Sequence, residues 1–297
     1  LELYETVKIR DFIPKYINAL KIAIKNDYFD IIQYSFESAS LSKFIYPGNL
    51  ALVLINECIY VNNNKAFIYL IKQPIIKNAL KVNATCLNLA CELGNIIMAE
   101  KICDIISEEN PKFDCSKSFI IAASNNFEEI SSYMLRKNLH IYISQLYPQL
   151  NRLSTISKDF FSLLYENIKE NNVEKDIFMK KFLKNAISNK NHDVVEFLFE
   201  KKIHHNKSLF KAVINNDLKM VDLILKYNSS PSFINKISKS GSALNIAVNN
   251  NNYDIVKLLL SIKGINPSLY GKDNQTPLVS AFMRFNLRTI NLIIDFY

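Results

Sequence analysis

The chain has 297 residues, 49% hydrophobic and 22% charged, with Lys plus Arg at 36 against Asp plus Glu at 28 for a formal net charge of +8. That length can hold two ordinary domains or one elongated array; no window approaches the roughly 18 unbroken apolar residues of a membrane-spanning helix, and the charge excess is spread out rather than gathered in a stripe. The five Cys lack the paired spacing of a disulfide framework, so a reducing compartment, cytoplasmic or nuclear, is expected.

In chain order, LELYETVKIR opens with mixed charge instead of a basic region followed by an apolar run, so no leader is expected. Leu1 is not Met, and Tyr297 directly follows an apolar helical pattern, which is the expectation for a piece of a longer or processed protein. The first recognisable unit is LKIAIKNDYFDIIQYSF around Ala23. It has an apolar residue three before a small anchor and a polar turn three to five after it. An apolar pair then follows at plus eight and plus nine, and another at plus eleven and plus twelve.

The same layout returns in INECIYVNNNKAFIYLI around Cys58, LNLACELGNIIMAEKIC around Ala90 and FIIAASNNFEEISSYML around Ala122. It continues in LKNAISNKNHDVVEFLF around Ala186, LFKAVINNDLKMVDLIL around Ala212, LNIAVNNNNYDIVKLLL around Ala247 and LVSAFMRFNLRTINLII around Ala281. Successive anchors lie 35, 32, 32, 64, 26, 35 and 34 residues apart. The double interval predicts a degenerate copy within Asn151 to Glu170, where FFSLLYENI keeps an apolar stripe without the small anchor, giving about nine units.

Each unit reads as two short antiparallel helices, the second with one broad apolar face, as in Ile255, Val256, Leu258 and Leu259. The small anchor allows close helix approach. The turn between the helices needs a left-handed residue, which Gly tolerates best and Asn next. Only 5 Gly are present; Gly94 stands at one such turn, and the others hold Asn26, Asn62, Asn125 with Asn126, Asn189, Asn215 with Asn216, and Asn250 with Asn251.

ATCLNLACELGN (84–95) and KDNQTPLVSAF (272–282) resemble the ankyrin repeat, with its period near 33 and T-P-L-H-x-A signature. Thr276, Pro277 and Leu278 match outright; Thr85, Cys86, Leu87 and Asn88 match in part, and Ser242, Ala243, Leu244 and Asn245 form a weaker copy. SIKGINPSLYGKDNQTPL is also similar to the divergent arrays abundant in some parasitic protists. The expected fold is therefore an all-α, ankyrin-type helical repeat solenoid of about nine helix-pair units, with an irregular unit near 137–180. Divergent repeats are expected over 1–136, a degenerate helical connection over 137–180 and further repeats over 181–297. The 26-residue step leaves too little chain for one finger.

No phosphate loop, H-E-x-x-H, C-x-x-C or nucleophile elbow appears, so no catalytic, cofactor or metal residues are assigned. Cys58 and Cys91 fill small-residue slots, and Cys103 lies in an apolar stripe. His204 and His205 lack further ligands at fixed spacing and, with Lys201, Lys202, Lys207 and Lys211, form either a solvated helix end or a basic rim. Asp159, Glu166, Glu170 and Glu174 read as exposed helix charges, which leaves no set for an enzyme.

The family resemblance implies a concave groove lined by the fingers and by positions two and three past each anchor. Those positions are Ser124 and Asn125, Ser188 and Asn189, Ile214 and Asn215, Asn249 and Asn250, and Met283 and Arg284, joined by Lys239, Lys272, Asp273 and Gln275 from the fingers. The expected function is a non-catalytic scaffold, monomeric, that binds a partner protein and takes no small-molecule substrate. The alternative is electrostatic binding to nucleic acid or an anionic membrane surface, marked by steep salt dependence.

Replacing Ala247 by Leu is expected to lower the melting temperature through about 1–3 kcal/mol of overpacking, whereas Asn216→Gly leaves it nearly unchanged. The opposite ordering in thermal denaturation would refute the register.

Overall fold

A computed structural model describes residues 2–38, 48–153, 155–168, 172–271 and 274–297. The chain divides into two compact units, Leu1–Gln149 with Leu163–Lys169, and Leu150–Ser162 with Glu170–Tyr297.

The first unit holds the pairs α1 (Glu2–Lys25) with α2 (Phe29–Glu37), and α3 (Gly48–Val61) with α4 (Asn64–Leu70). A short α5 (Pro74–Leu80) precedes the pairs α6 (Thr85–Leu93) with α7 (Ile96–Glu109) and α8 (Ser116–Ser124) with α9 (Glu128–Arg136). The chain then runs through α10 (Ile143–Leu146), a 3-10 turn (Tyr147–Gln149), α11 (Leu150–Leu153) and α12 (Lys158–Asn167), with the division between units falling inside this run.

The second unit continues with α13 (Asn172–Ser188) and α14 (His192–Glu200), then α15 (Ser208–Ile214) and α16 (Leu218–Tyr227). A short α17 (Pro231–Ile234) and a two-stranded finger, β1 (Ile237–Ser238) with β2 (Gly241–Ser242), precede α18 (Ala243–Asn249) and α19 (Tyr253–Leu260). The last pair is α20 (Pro277–Met283) and α21 (Leu287–Ile294). The molecule is thus an all-α repeat solenoid. Among the described residues no helix is long and apolar enough to cross a membrane.

The anchors Ala23, Cys58, Ala90, Ala122, Ala186, Ala212, Ala247 and Ala281 are all buried. Four residues past each anchor the backbone is left-handed: Asp27 (φ 55°), Asn62 (54°), Gly94 (68°), Asn126 (63°), Lys190 (56°), Asn216 (55°), Asn251 (57°) and Phe285 (53°). The N–H of the next residue then donates to the carbonyl of the anchor itself, as in Tyr28 to Ala23 at 2.8 Å, Asn95 to Ala90 at 2.9 Å and Asn286 to Ala281 at 3.2 Å. This bond, six residues closing on one, together with the left-handed residue inside it, is the Schellman helix stop.

Two sequence expectations change here. Asn26 and Asn189, assigned to the bend, lie one residue early; the left-handed residues are Asp27 and Lys190. In the same way Asn125, Asn215 and Asn250 have negative φ as C-caps and leave the bend to Asn126, Asn216 and Asn251. The turn therefore demands a position more strictly than a residue type, and the closing hydrogen bonds hold even Lys and Phe in a conformation that side chains with a Cβ disfavour.

The asparagines also have a role that the periodicity does not reveal. Five residues past the anchor, the side chains of Asn63, Asn95, Asn191, Asp217, Asn252 and Asn286 accept an N–H from the first turn of the second helix, for example Ile255 N to Asn252 at 3.0 Å. These are N-caps, each contributing about 0.5–2 kcal/mol. Four of these side chains also reach back to the left-handed residue of the preceding repeat: Asn63 donates to Asp27 (3.1 Å), Asn95 to Asn62 (3.0 Å), Asn252 to Asn216 and Asn286 to Asn251. Where Phe127 takes this place, its ring covers Gly94, and a Cβ on that glycine would come within 2.5 Å of it.

The degenerate copy begins earlier than expected, since helix is present from Ile143 and Leu150 is buried in the small residue's stead. Ser157 caps α12 by accepting from Phe160 N at 3.2 Å. As the short step predicts, the described chain between α14 and α15 contains turns and no strand. Thr276 caps α20 with Pro277 in its first turn.

Gly94→Ala is expected to cost about 2 kcal/mol or more, from left-handed strain plus collision with Phe127. Lys190→Gly should gain about 0.5–1 kcal/mol. Chemical denaturation checks both, and a destabilised Lys190→Gly would contradict the assigned bend.

Candidate partner-binding surface

A first helix advances about 100° per residue, which sorts its positions into faces. The anchor and the residue three before it, such as Ala247 and Leu244, are buried. The residues two before and two after the anchor point the opposite way, sharing one face one turn apart. This inner face holds the plus-two positions that the sequence selects, with the plus-three positions and the fingers beside it.

The two units present it differently, and each is described by itself. In the second unit Ile214 and Met283 are exposed at plus two, Val279 is exposed at minus two, and Ile237 and Tyr270 are exposed on finger segments. Asn249 accepts a hydrogen bond from Arg284 Nε at 3.3 Å, so these two candidates are brought together. Ser188 is half-buried and donates to the carbonyl of Lys184 at 2.9 Å. Lys239 is exposed at the finger tip.

Three of the amides at plus three are committed to the fold. Asn189 donates to Asn151 O (2.8 Å), Asn215 to Ile187 O (3.1 Å) and Asn250 to Val213 O (3.2 Å), each tying its turn to an earlier segment. The backbone carbonyl of Gln275 accepts from Gly271 N (2.8 Å) and from the buried Asn245 side chain (3.2 Å), which fixes the last finger to α18. Lys272 and Asp273 lie outside the described residues. In the first unit Ser124 is half-buried and Asn125 exposed.

Residues that sequence reasoning missed lie mainly in the first unit. Tyr60 and Leu93 are exposed past their anchors and, with Ile97, line a cleft of about 470 Å³ floored by Ile59, Asn62 and Gly94. The available signal was an apolar side chain at register positions where sister repeats place Ser or Asn. A second cleft, of about 500 Å³, lies on the outer helices of the second unit between Lys219, Asp222, Asp254 and Lys257.

The titratable groups offer little chemistry. Cys58, Cys86, Cys91 and Cys115 are pushed up to about 12, first by burial, and burial likewise raises Cys103 well above the ordinary thiol range. Such thiols stay protonated at neutral pH and are poor nucleophiles. His204 stacks on Phe199 at 5.4 Å between centroids. His205 is held below the usual histidine range by partial burial and then by Lys184, Lys207 and Lys180. Among the described residues no group of three or more His, Cys, Asp or Glu is placed to hold a metal ion.

The family model for ankyrin repeats matches residues 209–296 in three copies. Among solved structures, the chain is similar to the ankyrin repeat domain of Bcl-3, described as a unique member of the IkappaB protein family. That likeness has a TM-score of 0.56 at 18% sequence identity and covers 70% of this chain and 97% of that one. No curated protein sequence matches the chain.

The buried thiols predict that a thiol-reactive chromophore labels none of the five Cys rapidly in the native state at pH 8, and all five in denaturant. Rapid native labelling of even one equivalent would contradict the burial.

Proposed function

Because residues 209–296 are ankyrin repeats within an all-α solenoid of that type, we propose that the chain is a non-catalytic scaffold that holds a partner protein against the inner-helix face of its second unit. Arrays of this kind generally serve as protein–protein interaction modules. The observation that carries the reading is the exposed apolar set Ile214, Val279 and Met283, repeated at inner-face register positions where neither helix pairing nor stacking of repeats requires it.

Asn249 and Arg284, hydrogen-bonded to each other, and the exposed Lys239 of the finger supply polar groups to the same unit as a rim in this reading. Apolar anchors ringed by polar groups are what a protein interface uses: the anchors supply most of the binding energy and the rim excludes water. Asn189, Asn215 and Asn250 act in the scaffold by fixing the turns, and contribute to the partner only through what their structural bonds leave free. Ser124, Asn125 and Ser188 are secondary contacts in this reading. An electrostatic mode has no comparable feature in its favour, since the surface set is apolar and amide-rich.

The test is a double variant, Ile214→Asp with Met283→Asp. Both side chains are exposed, so helicity and thermal midpoint should stay close to those of the parent. Protein captured from a lysate of the source cell should fall at least about tenfold, as expected for loss of on the order of 1–2 kcal/mol per anchor. Undiminished capture, or capture of nucleic acid that collapses with moderate salt, would contradict the proposal.

A further inference from the structure

The inner helices at the 26-residue step carry an unbalanced charge. Residues 177–189 and 201–216, which hold most of α13, the turn after α14 and all of α15, contain seven Lys and no Asp or Glu. The acids between them, Asp193, Glu196 and Glu200, all belong to the outer helix α14. Asp217, which follows, is buried as the cap of α16 and has His192 on its carboxylate at 3.0 Å.

The fold gathers lysines that the sequence spreads out. Asn215 at the end of α15 donates to the Ile187 carbonyl near the end of α13 (3.1 Å), so the two helices run side by side with an offset of 28 residues. That offset sets Lys180 level with Ser208, next to Lys207, and Lys184 level with Ala212, next to Lys211. Lys180, Lys184 and Lys207 are exposed and Lys211 is half-buried. The turn that carries Lys207 is fixed: Ile203 N–H donates to the Leu198 carbonyl (2.9 Å), Ser208 Oγ to the His205 carbonyl (2.7 Å) and Lys207 N–H to His205 Nδ1 (3.2 Å). Lys180 is paired with Asp176 one turn earlier, whereas among the described residues no carboxylate pairs with Lys184, Lys207 or Lys211. The half-buried His205 ring registers the resulting field, since after burial it is Lys184, Lys207 and Lys180 that hold it below the usual histidine range.

Given the partner-holding role proposed above, on which this rests, we propose that the cluster takes an acidic segment of the partner protein, its Asp or Glu carboxylates meeting Lys184 and Lys207. Ammonium groups of one sign, held together without counter-charges, favour an anion and steer it during approach. A protein segment suits the place better than nucleic acid does. Phe178, Phe182, Phe199 and Phe210 are buried and offer no platform on which bases could stack. Ile214, by contrast, is exposed one turn beyond Lys211 and gives an apolar side chain of the same segment a contact next to the lysines.

The test is fluorescence anisotropy of labelled hexaglutamate with the full chain in low-salt buffer. It is compared with Lys184→Gln with Lys207→Gln and, as a control of equal charge, with Lys219→Gln with Lys257→Gln on the outer helices. All four sites are exposed, and circular dichroism verifies the fold of both double variants. Hexaglutamate should bind the parent and the outer-helix variant alike, and the inner-face variant at least about threefold more weakly. Hexaglutamine should bind none of them. A parent that does not bind hexaglutamate, an inner-face variant that binds it as the parent does, or equal weakening in both variants, the mark of diffuse charge, would overturn the proposal. So would hexathymidylate that binds the parent more tightly than hexaglutamate and is lost with the same two lysines. This readout needs no partner, unlike the capture assay with Ile214→Asp and Met283→Asp. A failed capture test with hexaglutamate still held at these lysines would fault the proposed function, and the reverse pattern would fault the acidic segment.

Discussion

The structure depends on one closed backbone motif. After each small anchor the chain takes a single left-handed residue, and the following N–H returns to the carbonyl of the anchor. A helix end leaves several carbonyls without partners, and this arrangement satisfies them within five residues while reversing the chain. Because the bend stands at a fixed distance from the anchor, the start of the second helix and its buried positions at plus eight and plus nine are fixed as well. The side chain at plus five then caps the second helix and, in several repeats, bonds back to the bend of the repeat before. Intrahelical stop, helix start and inter-repeat contact are thus concentrated in three consecutive residues.

This concentration explains the four asparagines Asn249 to Asn252. Asn249 ends α18 and accepts from Arg284; Asn250 donates to the Val213 carbonyl; Asn251 is left-handed; and Asn252 caps α19 while donating to Asn216. Each task suits a short amide, for separate reasons of donor, acceptor and backbone tolerance. Glycine meets only the backbone requirement, and it is retained at Gly94, where the neighbouring Phe127 ring leaves no room for a Cβ.

The anchors, the helix pairs and the missing finger were legible in the residue pattern because small size, periodicity and turn chemistry act locally. The exact bend residue was not legible at Asp27, Lys190 or Phe285, where closing hydrogen bonds outweigh the poor left-handed preference of the side chain. The N-cap role was hidden for a different reason: adjacent asparagines look alike in sequence but differ in backbone conformation. At the surface, position alone selected Asn189, Asn215 and Asn250, and only the structure shows that their amides already hold neighbouring carbonyls. The apolar exposures of Tyr60, Leu93 and Val279 escaped because an isolated apolar residue on a helix end ordinarily signals nothing.

In the proposed function, support and recognition fall to different positions. Anchors and bends are committed to stacking, which leaves the inner-helix and finger positions free to vary in chemistry without loss of fold. The account stands or falls on the bends. Three-bond couplings between amide and α protons, with backbone carbon shifts, on isotopically labelled protein report the sign of φ residue by residue. Positive φ at all of Asp27, Asn62, Gly94, Asn126, Lys190, Asn216, Asn251 and Phe285 is the result the account predicts, and negative φ at Lys190 and Phe285, with helix running through them, would contradict it.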